Sequence, residues 1–425
     1  MEELKIKNKD FKYLYDSFSL KEKEIFLDLK KQGINLNEPD YERYSLDHFS
    51  KKVKFRNENK SVFINGISPA CLACRKGKDS ITIKFSNICN RQCFYCYNYN
   101  NKDFEIKDPR ILIKEKIKQG EKVNHLGISG GEPMLHLKEM IYFLEWLRNN
   151  NIEPYIRIYT NGDFINKKIL QLLKRYKIKE LRFGIKLDQK NNWNVLLGKM
   201  QESKKYIERI MVEMPVFPES FVKMKKIIFD LEKIKIWGIN LLEFTYYNKN
   251  AKKFNDNGYS VKWPPFKYIY RQRSYNGYPV LGSELVCCRL LDYLSKKKYK
   301  IKVHYCSVAN RLTPDLFCKN MRWENNIDRN YLYFSNNDFF IKTAVIGGND
   351  NINKVLNVFN NESVKYYKKF KVNKRNFLEF GIKNIVFLRN LDIDIGIISS
   401  IILSRVQRDN IKLEHVNFKE FNLVK

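Results

Sequence analysis

The sequence predicts an α/β fold: a parallel sheet, open or curved into a partial barrel of six β/α units, with an N-terminal helical extension and a small C-terminal α+β region. Two observations predict it. From about residue 80, strand-like apolar runs at 81–85, 125–129, 155–159, 181–187, 210–216 and 241–246 alternate with helical stretches at 110–119, 137–149, 166–176, 193–206 and 219–235. On either side of 80–250 that alternation stops. In such sheets the chemistry sits at the C-terminal ends of the strands, where the loops leave.

The elements divide the chain into four expected regions. Residues 1–60 read as a charged helical extension: Ser19 with Glu22 fits a capping box, Ile25, Phe26 and Leu29 give one apolar face, and Gly33 suits a helix end. Residues 61–250 hold the alternating core, preceded by a C-x2-C segment. In 251–330, Pro264-Pro265 and Gly-containing turns at Asn276-Gly277 and Leu281-Gly282 precede a predicted helix over 283–294. Residues 331–425 read as an α+β appendage with a strand-like start at 331–334 and an apolar stretch at 395–403. No internal repeat or low-complexity linker is visible.

Of the 425 residues, 44% are hydrophobic and 14% aromatic, which supplies a core and excludes global disorder. Lys and Arg number 79 against 47 Asp and Glu, a net charge of +32. That charge suits a polyanion such as RNA, or an acidic peptide. It is equally what a Lys-, Asn- and Ile-rich composition produces, and the basic clusters at 296–302 and 368–375 read as solvated faces. No apolar run approaches the roughly 18 residues needed to span a bilayer, and the N-terminus has no signal-peptide apolar segment. A cytoplasmic protein without membrane partners is expected. Its nine cysteines are then metal ligands or core thiols rather than a disulfide framework.

The strongest signal is Cys89-Asn-Arg-Gln-Cys93-Phe-Tyr-Cys96, directly after a strand. Three thiolates in one short loop converge on one point, as iron–sulfur clusters require. Three ligands leave one iron of a 4Fe–4S cluster open, with Tyr95 a flat contact beside it. A structural zinc site is the alternative, but zinc asks for a fourth ligand. After the next strand comes Ser129-Gly130-Gly131-Glu132-Pro133, whose adjacent glycines allow close backbone approach to a ligand; an ordinary strand-to-helix turn reads the same way.

Together these motifs resemble the radical S-adenosylmethionine (SAM) superfamily. The resemblance implies a radical SAM barrel, a 4Fe–4S cluster on Cys89, Cys93 and Cys96, and SAM held by its amino group at Ser129, Gly130, Gly131, Glu132 and Pro133. Thr160, Asn161, Lys186 and Glu213, at the following strand ends, resemble positions that meet SAM in relatives of pyruvate formate-lyase activating enzyme. Over about residues 65–320, Cys71-Leu-Ala-Cys74, Leu242-Glu243-Phe244, Val280-Leu-Gly-Ser-Glu284 and His304-Tyr-Cys306-Ser307 are similar to a little-characterised archaeal and bacterial family related to that enzyme. The chain departs from it at Val308-Ala309-Asn310.

Cys71 and Cys74 read as half a zinc site, a redox dithiol, or half of an auxiliary iron–sulfur cluster. Cys306, with Cys318 as a further candidate, would complete an auxiliary 4Fe–4S cluster. Cys287 and Cys288 fall in an apolar helix and read as buried thiols. His125 and His136 read as structural, and His304 as a ligand or a donor behind one.

The function implied is that of a radical SAM enzyme of the iron–sulfur oxidoreductase or maturase type. It would cleave SAM reductively to a 5′-deoxyadenosyl radical and abstract hydrogen from a peptide or protein. The resemblance also implies an electron donor, a flavodoxin or ferredoxin. The alternatives are a radical SAM enzyme acting on RNA, and a non-enzymatic zinc protein that binds nucleic acid.

Overall fold

The computed structural model describes residues 8–40, 49–76, 80–98, 108–188, 193–267, 269, 277–321, 329–407 and 410–422. The turn expected at Asn276 lies outside these residues. The chain divides into two compact units. One comprises Gly33–Pro265 and Tyr275–Pro314, the other Met1–Gln32, Phe266–Ser274 and Asp315–Lys425. Among the described residues no helix is long and apolar enough to cross a membrane.

Helix α1 (Lys9–Lys31) begins well before the capping box expected at Ser19. Asn8 caps it instead, its Oδ1 accepting the Asp10 N–H at 2.9 Å. The apolar face continues upstream through Phe11 and Leu14, so the helix runs through Ser19 without a break. Gly33, at φ +75, follows its end as expected.

The first unit carries β1 (Leu36–Asn37), β2 (Lys54–Arg56), β3 (Ser61–Ile64) and the short helix α2 (Pro69–Ala73). The repeat follows: β4 (Ser80–Lys84), α3 (Pro109–Lys118), β5 (His125–Ser129), α4 (Leu137–Asn149), β6 (Tyr155–Thr160), α5 (Lys167–Arg175), β7 (Glu180–Phe183), α6 (Trp193–Ser203), β8 (Arg209–Val216), α7 (Phe221–Lys233) and β9 (Gly238–Glu243). After β10 (Thr245–Tyr247), α8 (Ala251–Asp256), β11 (Val261–Lys262) and β12 (Gly277–Pro279) come α9 (Ser283–Ser295), β13 (Lys302–Cys306) and α10 (Val308–Met321).

The nine-stranded sheet runs β2-β3-β13-β9-β8-β7-β6-β5-β4. The six expected strands, β4 to β9, are all parallel to their neighbours. The sheet is wider than expected: β13 adds a seventh parallel strand against β9, and β3 pairs antiparallel to β13. The insertion after β9 interrupts the alternation without ending the sheet. Helix α9 buries Val286, Leu290, Leu291 and Leu294 in the same core as Val303 and Tyr305 of β13, so it acts as the crossover helix.

The period of two along each strand sorts the residues. Ile158, Leu181, Phe183, Val212 and Ile239 pack against the helices. The alternate positions, among them Arg157, Arg182, Glu213, Asn240 and His304, face the inside of the partial barrel; the last four bond in a chain, and Arg157 and Arg182 both reach Tyr159.

The second unit adds β14 (Tyr333–Phe334), β15 (Ile341–Gly347), α11 (Asn349–Asn361), β16 (Tyr367–Val372), β17 (Arg375–Phe380), β18 (Asp394–Gln407) and β19 (Asn410–Asn422). Its antiparallel sheet runs β16-β17-β15-β18-β19, with β14 on β15. The apolar stretch 395–403 lies within β18. Phe11 and Leu14 of α1 pack in this unit with Val345, Phe377, Ile398 and Phe418. Phe11 is fully buried. Phe11→Ala is expected to destabilise this unit by about 3–5 kcal/mol, read from denaturant unfolding. A change below about 1 kcal/mol would contradict that packing.

Candidate active site

The loop leaving β4 carries the cysteine triad and is seated on the loop leaving β5. Lys84 and Ser129 are register partners, so both strands end at one level. The Gly131 N–H then donates to Ser86 O at 2.9 Å and the Glu132 N–H to Ile88 O at 2.8 Å. This contact needs glycine. A Cβ on Gly130, at φ +140, would lie 2.5 Å from Ser86 O, and one on Gly131 would lie 1.7 Å from Ile88 O. The glycine pair makes room for the backbone of the cysteine loop.

Further bonds fix the loop. Asn161 Nδ2 donates to Asn90 Oδ1 at 2.7 Å and points at Cys89 Sγ at 3.9 Å. Arg91 makes a two-bond fork to Asp163, at 2.7 and 2.5 Å, and holds that carboxyl below the usual range. Asn250 Nδ2 donates to the Phe94 and Cys96 carbonyls. The Arg91 and Asn98 N–H groups reach Cys89 Sγ and Cys96 Sγ, each at 3.4 Å. Burial raises the Cys96 pKa, and the Asn98 N–H partly offsets that.

All three thiols open on one cavity of about 580 Å³ at the C-terminal ends of the strands, a size suited to a small-molecule site. Ser129, Gly130, Gly131, Glu132, Thr160, Asn161, Lys186 and Glu213 line it with Tyr95. Tyr95 packs edge-on against Phe217 and Phe244. Pro133 is not on the wall; it starts the short turn Pro133–His136. Glu132 is on the wall but committed elsewhere. One oxygen accepts from Thr160 Oγ1 at 2.8 Å and the other from the Asn161 N–H at 2.7 Å. Burial raises its pKa. Glu213 is likewise engaged, by Arg182 and by Asn240 Nδ2 at 2.7 Å.

The residues present fit a 4Fe–4S cluster. Cys89, Cys93 and Cys96 all line one cavity, and cysteine thiolates are the usual ligands of such clusters.

Residues 83–219 match the model of the radical SAM superfamily. That segment of the chain is similar to the radical SAM superfamily. Over 241 residues the chain is 27% identical to a candidate glycyl-radical enzyme activating enzyme of Methanocaldococcus jannaschii, covering 53% of this chain and 59% of that protein. Over 95 residues it is 36% identical to a candidate GTP 3′,8-cyclase of Methanococcus aeolicus, covering 21% of this chain and 31% of that one. The chain thus spans less than two thirds of the length of these curated relatives. Among solved structures, SuiB of Streptococcus suis bound to SAM is similar at 14% identity and a TM-score of 0.40, over 54% of this chain and 50% of that one.

Sequence reasoning missed the far wall of the cavity, formed by Glu243, Thr245, Tyr247 and Arg311. Arg311 Nη2 donates to Glu243 O at 2.5 Å and to Thr245 Oγ1 at 2.8 Å. Glu243 Oε2 accepts the Val308 N–H at 2.7 Å, and burial raises its pKa. It missed Arg182 as well, which lines the cavity from within the barrel. The available signal was a charged residue inside strand after strand, in step with the period of two.

The other predicted residues fall elsewhere. His136 Nε2 meets Ser86 Oγ at 2.5 Å, a structural role as expected. Cys287 and Cys288 are buried, which raises both pKa values. Cys71, Cys74 and Cys306 belong to the barrel unit, whereas Cys318 is exposed in the other unit. Gly131→Ala is expected to destabilise the protein by about 1–3 kcal/mol and to weaken SAM binding with it, measured by denaturant unfolding and calorimetry. Unchanged stability with unchanged SAM binding would contradict the seat.

Proposed function

We propose that this protein is a radical SAM enzyme acting on a peptide or protein. The observation that carries the reading is the convergence of Cys89, Cys93 and Cys96, from one loop seated on Gly130 and Gly131, onto a single cavity at the strand ends. The three thiolates hold a 4Fe–4S cluster with one open iron, and the cavity takes SAM. When bound, cluster and SAM supply reductive cleavage of the sulfonium to a 5′-deoxyadenosyl radical, which removes a hydrogen atom from the substrate.

The chain's own residues do the rest. The Arg91 and Asn98 amides orient the sulfurs of Cys89 and Cys96. Asn161 and Lys186 offer donors on the cavity wall for the carboxylate of SAM. Tyr95, Phe217 and Phe244 keep one side of the cavity apolar and dry. Glu243, Thr245, Tyr247 and Arg311 form the wall that meets the substrate. A peptide or protein substrate is supported by the relative that bears the name of an activating enzyme, whose target is another protein. Electrons come from a flavodoxin or ferredoxin.

An RNA substrate is the second reading, favoured by the net charge of +32. Nucleic acid that co-purifies and dissociates at high salt would favour it.

The test is anaerobic production of 5′-deoxyadenosine with dithionite. The wild-type protein is expected to produce it, and the variant with Cys89, Cys93 and Cys96 all replaced by Ala to fall at least about a hundredfold, a rise of roughly 2.7 kcal/mol or more in the barrier. Undiminished product from a folded variant would refute the assignment.

A further inference from the structure

The inside of the barrel holds a second set of thiols that the SAM site does not use. Helix α2 crosses the inner face of the sheet. Ser68 caps it and donates through Oγ to Glu180 Oε2 of β7 at 2.7 Å. Cys71, on this helix, has its Sγ 3.3 Å from Asn240 Nδ2 of β9 and 3.4 Å from Arg182 Nη2 of β7. Cys74 is its C-terminal cap.

Cys306 comes to the same place from the far end of the chain. It ends β13, the parallel neighbour of β9, and by the period of two it shares the inner face with His304. His304 Nδ1 meets Asn240 Oδ1 at 3.1 Å, so Asn240 links His304 to the Cys71 sulfur. A second chain of bonds closes the ring. Asn310 Nδ2 donates to Cys306 Sγ at 3.2 Å, and Asn57 Nδ2 donates to Asn310 Oδ1 at 2.8 Å. Arg75, adjacent to Cys74, donates through Nε to Asn57 Oδ1 at 3.3 Å.

The surroundings are cationic and carry an unused donor. Arg157 and Arg182 act electrostatically on Cys74, and Arg311 on Cys306; Cys71 and Cys74 both act on Cys306. Arg157 is 4% exposed. Its Nε donates to Tyr159 Oη at 2.8 Å and its Nη2 to Thr82 Oγ1 at 3.1 Å. Its Nη1 is buried without a hydrogen-bond acceptor. An orphaned guanidinium N–H beside thiols is a costly arrangement that an anionic group would relieve.

We propose that Cys71, Cys74 and Cys306 ligate a second 4Fe–4S cluster inside the barrel, with one iron left to a ligand from outside this set. Three thiolates on a cubane core place net negative charge among Arg157, Arg182 and Arg311 and give Arg157 Nη1 an acceptor. Cys318, expected from the sequence as a fourth ligand, is exposed and belongs to the other unit, and the proposal does not use it. The cluster would staple the segment before the first parallel strand to the last one. It stands on residues outside the SAM triad.

The test uses the full-length Cys89→Ala/Cys93→Ala/Cys96→Ala variant, reconstituted anaerobically with ferrous iron and sulfide. Iron, acid-labile sulfide and zinc are counted per chain. About four irons and four sulfides are expected to remain, to vanish on adding Cys71→Ala, Cys74→Ala and Cys306→Ala, and to survive Cys318→Ala. One zinc without sulfide, or no metal, overturns the proposal; loss of iron with Cys318→Ala overturns the three-ligand assignment. Should the triad variant not fold, Cys71→Ala/Cys74→Ala in the otherwise intact chain is expected to lower iron from about eight to about four. An unchanged count there also overturns the proposal. Because the first measurement is made without the triad, it succeeds or fails independently of SAM cleavage.

Discussion

The site depends on one backbone contact, that of the glycine pair with the loop bearing the cysteines. Parallel pairing brings β4 and β5 to a common end, and two amide–carbonyl bonds then bind the loops that leave them. No side chain fits at Gly131, because Ile88 O occupies its place. From this seat the constraint passes sideways. Glu132 follows the glycines and ties the loop after β6 through Thr160 and Asn161, and Asn161 returns to the cysteine loop at Asn90. Three successive strand ends become one hydrogen-bonded rim. Burying the Glu132 carboxyl is unfavourable, and the bonds it accepts offset that cost.

Beneath the rim the barrel is filled with charge rather than with branched aliphatics. Arg182 sits between Glu180 and Glu213, at 2.5 Å from each, and also reaches Ser68 and Cys71. Buried ion pairs add little net stability, but removing one partner leaves a bare charge and is strongly destabilising. Such a network holds α2, and with it the C-x2-C segment, in a single place. His304 extends it. Burial and nearby arginines push its pKa down to about 3, so the neutral ring links Ser61 to Asn240. Arg182 and Glu213 also line the cavity, so the filled interior and the open mouth form one polar surface.

Much of this was legible in the sequence. The six parallel strands follow from their period, and the triad and glycine pair announce themselves by spacing. The role of the glycines was not legible, because a Gly-Gly that admits a ligand and one that admits a neighbouring backbone look identical in sequence. Strand β13 carries a readable pattern at Lys302–Cys306, but the insertion after β9 conceals that α9 makes it a seventh parallel strand. The start of α1 was misplaced because Ser19 and Glu22 satisfy a local capping rule. Tertiary burial of Phe11 and Leu14 overrides it. Glu243 and Arg311 come together only through the turn from β13 into α10, which no local pattern reports.

The central claim is that Cys89, Cys93 and Cys96 would hold a 4Fe–4S cluster at the cavity that would take SAM. Electron paramagnetic resonance of the dithionite-reduced protein, with and without SAM, tests it most directly. SAM binding at the cluster would change the spectrum once SAM is added. An unchanged spectrum at saturating SAM would contradict the account.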